Sequence, residues 1–237
     1  QIGITFDQHI DVNSHSIEDV MKQLGVKALT FDVGGTVFDW RGTIEGELKT
    51  LSADKGVDVD VRRFAFDWRS GMFEMLTKVK SGELSRMNAD EIHRRVLDEV
   101  LEDHDSIRLS TEERADLNQV WHRLKTWPDA VEAIHKLRSC YTVVVLTVLS
   151  YAIVVDSSKY NNLGWDGILS CEFLGQYKSH PRAYQEAAEL LGCEPGEVMM
   201  VAAHAGDLKS AKDAGLKSAY VHREDDWYRV SPTDEPI

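Results

Sequence analysis

The stretch "VKALTFDVGGTVFDWR", Val26 to Arg41, decides how this chain is read. Val26, Ala28, Leu29 and Phe31 around Thr30 read as a short buried strand, and the Gly34-Gly35 pair breaks it at once. Asp32 should therefore sit at a strand's C-terminal tip, where open α/β sheets put their chemistry. Taken alone, Asp-x-Gly-Gly reads more simply as a turn aspartate capping the next helix. The remainder of the chain decides between the two.

On one side lie residues 1–26, a polar N-terminal extension with a short helix expected at Ser16 to Leu24 and no recognisable motif. On the other, Thr43 to Trp127 space their apolar residues three and four apart. The segments "VRRFAFDWRSGMFEMLTKVKSG", "NADEIHRRVLDEVLED" and "STEERADLNQVWHRL" read as helices uninterrupted by a strand. Alternation then resumes: "WPDAVEAIHKLRS" as a helix, "CYTVVVLTV" and "DGILSCEFL" as strands, "HPRAYQEAAELLG" as a helix, "EVMMVAA" as a strand, "DLKSAKDAG" as a helix and "KSAYV" as a strand. A strand, a helical block and renewed alternation describe an α/β protein: a Rossmann-like parallel sheet, residues 27–42 and 128–224, with a helical cap inserted at 43–127. The cap is expected over the strand tips. The tail, 225–237, ends in "SPTDEPI" and reads as disordered.

The 237 residues and 43% hydrophobic content support a sizeable core. Lys and Arg total 27 against 40 Asp and Glu, so a formal charge of -13 argues against nucleic acid or an anionic membrane surface as partner. No apolar run is long enough to span a bilayer, and "YTVVVLTVLSYAIVV" reads as a buried strand running into a helix. Cys140, Cys171 and Cys193 are odd in number and lie in or beside expected core elements. They read as small buried hydrophobes in a reducing compartment. A cytoplasmic location is expected, with the periplasm left open because the chain opens on Gln1.

Four features fall at successive strand tips: Asp32 with Thr36, Thr147 after "VVVL", Lys178 in "GQYKSHP", and Asp207 in "MMVAAHAGDLKSAKDAG". Singly, Thr147 reads as a helix cap, Lys178 as a solvated loop cation and Asp207 as an N-cap. In this order and spacing they resemble the haloacid dehalogenase superfamily, over about Lys27 to Val221. That resemblance implies that Asp32 presents its carboxylate as nucleophile, that Gly34 and Gly35 let backbone amides approach the substrate's negative group, and that Thr36 holds the loop.

The branch is read from missing charges. Phosphatases of the superfamily carry a second acid at the Gly34 position and paired acids in the last motif, where this chain has Ala203 with Asp207. Without them the charge of phosphoryl transfer has no metal clamp. "DVGGTVFDWR", "ILSCEFLGQYK", the tyrosine six residues past the lysine and "VMMVAAHAGDL" resemble instead the L-2-haloacid dehalogenases (type II). Their chemistry needs neither metal nor other cofactor: an aspartate attacks an sp³ carbon and the resulting ester is hydrolysed. The resemblance implies that Lys178 lowers the pKa of Asp32 and holds the carboxylates, that Tyr184 braces Lys178, and that Asp207 orients or activates water. Arg69 in "DWRSGMFEM" matches the family arginine that binds substrate and leaving group, although by position alone it reads equally as a solvated helix-face residue. Trp40, Thr147 and loop amides would line the substrate.

Departures from the family put the usual substrate in question. Thr147-Val148-Leu149 stands where the family has Ser-Asn-Gly, so Val148 makes one wall apolar unless the loop has simply drifted. His204 replaces another polar residue and would either hydrogen-bond Asp207 or merely pack. The expected substrate is a small 2-substituted carboxylic acid losing halide. A relative, azetidine-2-carboxylate hydrolase, offers ring opening by the same mechanism. A reading of another class is a retired dehalogenase-like domain that binds without turnover. The resemblance leaves room for a homodimer.

Overall fold

The computed structural model describes residues 4–6 and 22–223. Its strands are β1 (Ile4–Phe6), β2 (Ala28–Phe31), β3 (Phe38–Asp39), β4 (Lys125–Thr126), β5 (Thr142–Thr147), β6 (Gly167–Ser170), β7 (Val198–Ala202) and β8 (Lys217–Val221). Its helices are α1 (Trp40–Lys55), α2 (Val61–Ser81), α3 (Ala89–Asp103), α4 (Thr111–Asn118), α5 (Ala130–Arg138), α6 (Tyr151–Tyr160), α7 (Pro181–Leu190) and α8 (Ala205–Asp213), with a 3-10 segment at Gln119–Arg123. The short helix expected at Ser16 to Leu24 falls largely outside the described residues, and the tail 225–237 wholly so. No described helix is long and apolar enough to cross a membrane.

Six strands form one sheet in the order β1-β8-β7-β2-β5-β6. From β8 to β6 every pairing is parallel, and β1 closes the edge antiparallel to β8. The N-terminal extension thus contributes an edge strand, which its polar sequence did not disclose. Strands β2 and β7 are buried along their whole length, and β5 except at Thr142, as expected where both faces of a parallel sheet are covered. After β2 the chain builds outward through β5 and β6, then crosses back to lay β7 on the other side of β2. The order therefore reverses at β2, and in an open α/β sheet the crevice outside the strand ends at such a reversal is where ligands bind. Asp32 comes directly after β2; its N–H continues the ladder to Val201 O at 3.0 Å.

The described residues divide into two compact units. Unit 1 holds the sheet: residues up to Phe38, Thr126–Tyr151 and those from Asn161. Unit 2 is helical, Asp39–Lys125 with Ala152–Tyr160. The expected cap, 43–127, differs from this grouping: unit 2 begins at Asp39, Thr126 and Trp127 belong to unit 1, and most of α6 belongs to unit 2 although it follows a sheet strand. Ser157 shows why: its hydroxyl donates to Trp121 O (3.1 Å) and accepts from Leu124 N (3.2 Å), and Ile153 and Val154 are fully buried. Packing partners, which sequence adjacency does not reveal, assign the helix. The cysteines divide differently from expectation too: Cys171 is buried, Cys193 intermediate and Cys140 exposed.

Within unit 2, α2 buries Phe64, Ala65, Trp68, Met72, Met75, Leu76 and Val79, one stripe at helical spacing. Capping boxes at Asn88/Glu91 and Ser110/Glu113 start α3 and α4, so their first N–H groups are satisfied locally. Helices α2 and α3 approach closely at Gly71, where an added Cβ would stand 2.5 Å from Val96 Cγ1. Gly71→Ala should therefore destabilise by about 1–3 kcal/mol despite alanine's better helix propensity. Adding Val96→Ala should recover part of the loss, and urea denaturation of both single variants and the double variant should give a coupling of at least about 0.5 kcal/mol.

Candidate active site

The loop after β2 sets the geometry of unit 1. Gly35 has φ +95°, a conformation that only glycine adopts cheaply, and its N–H donates to Phe38 O at 2.9 Å. The Gly35 amide thus closes the turn, so of the backbone amides that the two glycines were expected to let near a substrate, its own is already taken. Phe38 N also returns to Val33 O (2.8 Å), so the segment after Asp32 folds tightly back on itself.

Asp32 is buried and held at both oxygens. Lys178 Nζ donates to Oδ1 (2.9 Å) and Thr36 Oγ to Oδ2 (2.8 Å). The Thr36 hydroxyl accepts in turn from Ala203 N (2.9 Å), which fixes its hydrogen toward the carboxylate and ties the β2 and β7 loops together. Lys178 Nζ also donates to Leu146 O near the tip of β5 (3.0 Å) and pairs with Asp207 Oδ2 at 2.6 Å. Three strand tips converge on one ammonium. Tyr184 Oη donates to Asp207 Oδ1 at 2.5 Å. The tyrosine therefore braces the aspartate, where direct bracing of Lys178 was expected. Asp207 lies inside the first turn of α8, whose N-cap is His204, so it is no N-cap itself; an acid there is favoured by the helix dipole.

Burial and charge compete in this triad. Burial alone would raise the Asp32 pKa, but the Lys178 ammonium and His204 outweigh it and hold the carboxyl below the ordinary aspartate range. Asp207 goes the other way: burial, with the neighbouring Asp32 charge, keeps it above that range despite Lys178. Burial would lower Lys178, yet Asp207 and Asp32 together raise it, so it stays an ammonium. Burial, with the Asp207 charge next in weight, pushes the Tyr184 phenol well up, and it remains a donor.

His204 does not reach Asp207 as one expectation had it. Its Nε2 lies 3.0 Å from Gly34 O and 3.4 Å from Asp32 Oδ2. Thr147 is buried, and its hydroxyl accepts from Leu149 N (3.1 Å) in its own loop. Val148 packs against the hydrophobic cluster that contains Leu146, Leu174 and Tyr184. An asparagine there would face apolar neighbours, so the substitution suits the packing of this loop.

One brace was missed in the sequence. Arg223, just past β8, donates from Nε to Thr36 O (3.0 Å) and from Nη1 to both Asp129 oxygens (2.9 Å each), with Trp127 beneath it at 5.4 Å. Trp127 donates from Nε1 to Gly35 O (2.8 Å) and from its backbone N–H to Val37 O (3.0 Å). Both clamp the back of the loop that follows Asp32. No local pattern marks Arg223, because Thr36 is 187 residues away along the chain.

In unit 2, Arg69 is buried and not the solvated helix-face residue that position alone allowed. Its guanidinium lies over Phe73 (4.5 Å), Trp40 (5.1 Å) and Trp121 (6.0 Å). Trp121 stacks in turn on His93, centroids 3.8 Å apart and planes within 5°. Burial, then the Arg69 charge, holds the His93 pKa well below its usual value, so that ring is neutral. Trp40 and Arg69, each expected separately at the substrate, are thus in one aromatic cluster. Among the described residues no three His, Cys, Asp or Glu side chains are grouped to hold a metal ion.

A model of haloacid dehalogenase-like hydrolases matches residues 26–215. The chain belongs to the haloacid dehalogenase-like hydrolases. Among solved structures, this hydrolase is similar to the L-2-haloacid dehalogenase PA0810, with 30% identity and a TM-score of 0.82 over 88% of this chain and 89% of that one. It is also similar to the defluorinating L-2-haloacid dehalogenase Rha0230, with 34% identity and a TM-score of 0.77 over 81% and 80%. By sequence it matches (S)-2-haloacid dehalogenase 4A of Burkholderia cepacia, 33% identical over 111 residues, which are 46% of this chain and 48% of the relative. The chain thus matches about half the length of that curated relative.

Lys178→Met should cost about 3–5 kcal/mol at neutral pH, because two buried carboxylates lose their common counter-charge. In that variant burial is opposed only by His204 and Thr36 at Asp32 and by Tyr184 at Asp207, so both carboxyl pKa values in the folded state should rise from where Lys178 holds them. A group raised on folding contributes stability at low pH and loses it as pH rises, so the gap to wild type should narrow on acidification. Urea midpoints measured from neutrality downward check the sign.

Proposed function

We propose that this chain is a metal-independent 2-haloacid dehalogenase acting on (S)-2-haloacids. In this reading Asp32 attacks C2 of a small 2-haloacid, halide leaves, and the ester so formed is hydrolysed to the 2-hydroxy acid. One observation carries it. Asp32 is kept ionised by Lys178, while Gly34 and Ala203 place a bare methylene and a methyl group where phosphoryl transfer needs a second and third acid. The names of the two similar structures, over four-fifths or more of each chain, support the same chemistry.

The other groups take parts consistent with their contacts. Thr36 and Lys178 orient the carboxylate, Tyr184 fixes Asp207, and Asp207, raised where Asp32 is lowered and therefore the more basic of the two acids, accepts the proton of the hydrolytic water. Arg69 would serve the substrate carboxylate or leaving halide, since a guanidinium shielded by rings is poorly hydrated and gains more from a small anion. Gly34, Thr147 and Trp40 are proposed to contact substrate. No contact favours ring opening of azetidine-2-carboxylate over halide displacement, and a retired binding domain would have no need of the chain of contacts from Thr36 through Asp32 and Lys178 to Asp207. The same reading includes a cytoplasmic location and a homodimer.

Activity on (S)-2-chloropropionate should be unchanged in excess EDTA; collapse on chelation with recovery in Mg²⁺ would contradict the metal-free reading. In ¹⁸O-water with enzyme in excess, one turnover should leave the product mostly unlabelled and put label into the peptide containing Asp32, because water attacks the ester at Cγ. Asp32→Asn should abolish both product and label while the protein stays folded. Labelled product on the first turnover would mean direct attack by water, with Asp32 as a base.

A further inference from the structure

We propose that His204 is a catalytic residue of the second half-reaction, forming with Thr36 the donor pair that receives negative charge on Asp32 Oδ2 while the ester is hydrolysed. This rests on the ester mechanism above. His204 occupies the N-cap of α8, yet its side chain makes no capping bond and turns to the nucleophile loop instead. There Nε2 faces two acceptors, Gly34 O at 3.0 Å and Asp32 Oδ2 at 3.4 Å, so Nε2 carries a hydrogen.

The two carboxylate oxygens are unlike. Oδ1 takes the Lys178 ammonium, whereas Oδ2 takes the Thr36 hydroxyl and has His204 close by. In the proposal Oδ1 attacks C2 and keeps the Lys178 ammonium beside it, where that charge later favours its departure as an alkoxide, while Oδ2, with the Thr36 hydroxyl on it and His204 within reach, becomes the ester carbonyl. Attack of water at Cγ then moves the carbonyl electron pair onto Oδ2. Both donors already point there, and the His204 hydrogen needs to swing only from Gly34 O toward Oδ2 as charge grows. Collapse breaks the Cγ–Oδ1 bond, and Oδ1 leaves in the 2-hydroxy acid, protonated by the hydrogen that Asp207 took from water. The new Asp32 carboxyl releases its remaining proton to solvent, so atoms and charge balance. During displacement of halide, by contrast, charge leaves Asp32, and a donor on Oδ2 gives the transition state no advantage over the ground state.

The assignment predicts a split between half-reactions. With 2-chloropropionate in stopped flow, His204→Ala should release a first equivalent of chloride at close to the wild-type rate. Steady-state kcat should then fall about 10²-fold, as for loss of one oxyanion donor, with KM falling in parallel. Acid-quenched mass spectra should show the ester on the peptide containing Asp32. His204→Gln, which can restore an N–H donor, should recover part of kcat and guard against misfolding as the cause. Wild-type-like kcat in both variants, or a burst slowed as much as turnover, would overturn the role of His204 while leaving the proposed function intact. Wild-type enzyme that never forms the ester while releasing chloride would overturn both.

Discussion

An ammonium buried between two carboxylates is the constraint on which unit 1 depends. Neither Asp32 nor Asp207 could stay charged in so dry a place without Lys178, and Lys178 could not be buried there without them. The triad works only if its members arrive from different strands at one point. Asp32 leaves β2, Lys178 lies on the segment between β6 and α7, and Asp207 comes after β7. The reversal of strand order at β2 is what makes those ends neighbours. Sheet order and chemistry are thus one requirement.

Around this charge cluster the fold spends hydrogen bonds on stiffness. Thr36, Ala203, Trp127 and Arg223 fix the loop behind Asp32 from three sides, each through an atom with a defined direction. Under the proposed mechanism such bracing matters, because reorienting the Asp32 carboxylate in the transition state would forfeit the advantage of position. The difference in donors on Oδ1 and Oδ2 arises from the same bracing.

Unit 2 solves a different problem, that of burying a guanidinium among aromatic rings. Arg69 lies against the faces of Trp40, Phe73 and Trp121, and Trp121 is backed by a neutral His93. Aromatic faces offset part of the hydration that the guanidinium loses on burial.

The sequence by itself determined the class of fold and the placing of Asp32, Lys178 and Asp207 at or just after strand tips, because these rest on local signals: β-branched runs that must be strands, a glycine pair that must end one, and ionisable residues that follow apolar tips. That the three belong together was implied by their order along the chain and its resemblance to a family, and no one of them announces it alone. What only the tertiary structure decided are pairings across long separations. The edge strand β1, the transfer of α6 to the helical unit, Tyr184 on Asp207, His204 on Asp32 and the Arg223 clamp each join residues whose positions along the chain say nothing of their contact. Arg69 shows the reason most plainly. On its helix it is a charged residue on a stripe of mixed polarity, and whether that stripe meets water or aromatic rings depends on segments far from it along the chain, Trp121 among them. Burial is a property of the assembled chain, and local periodicity only proposes it.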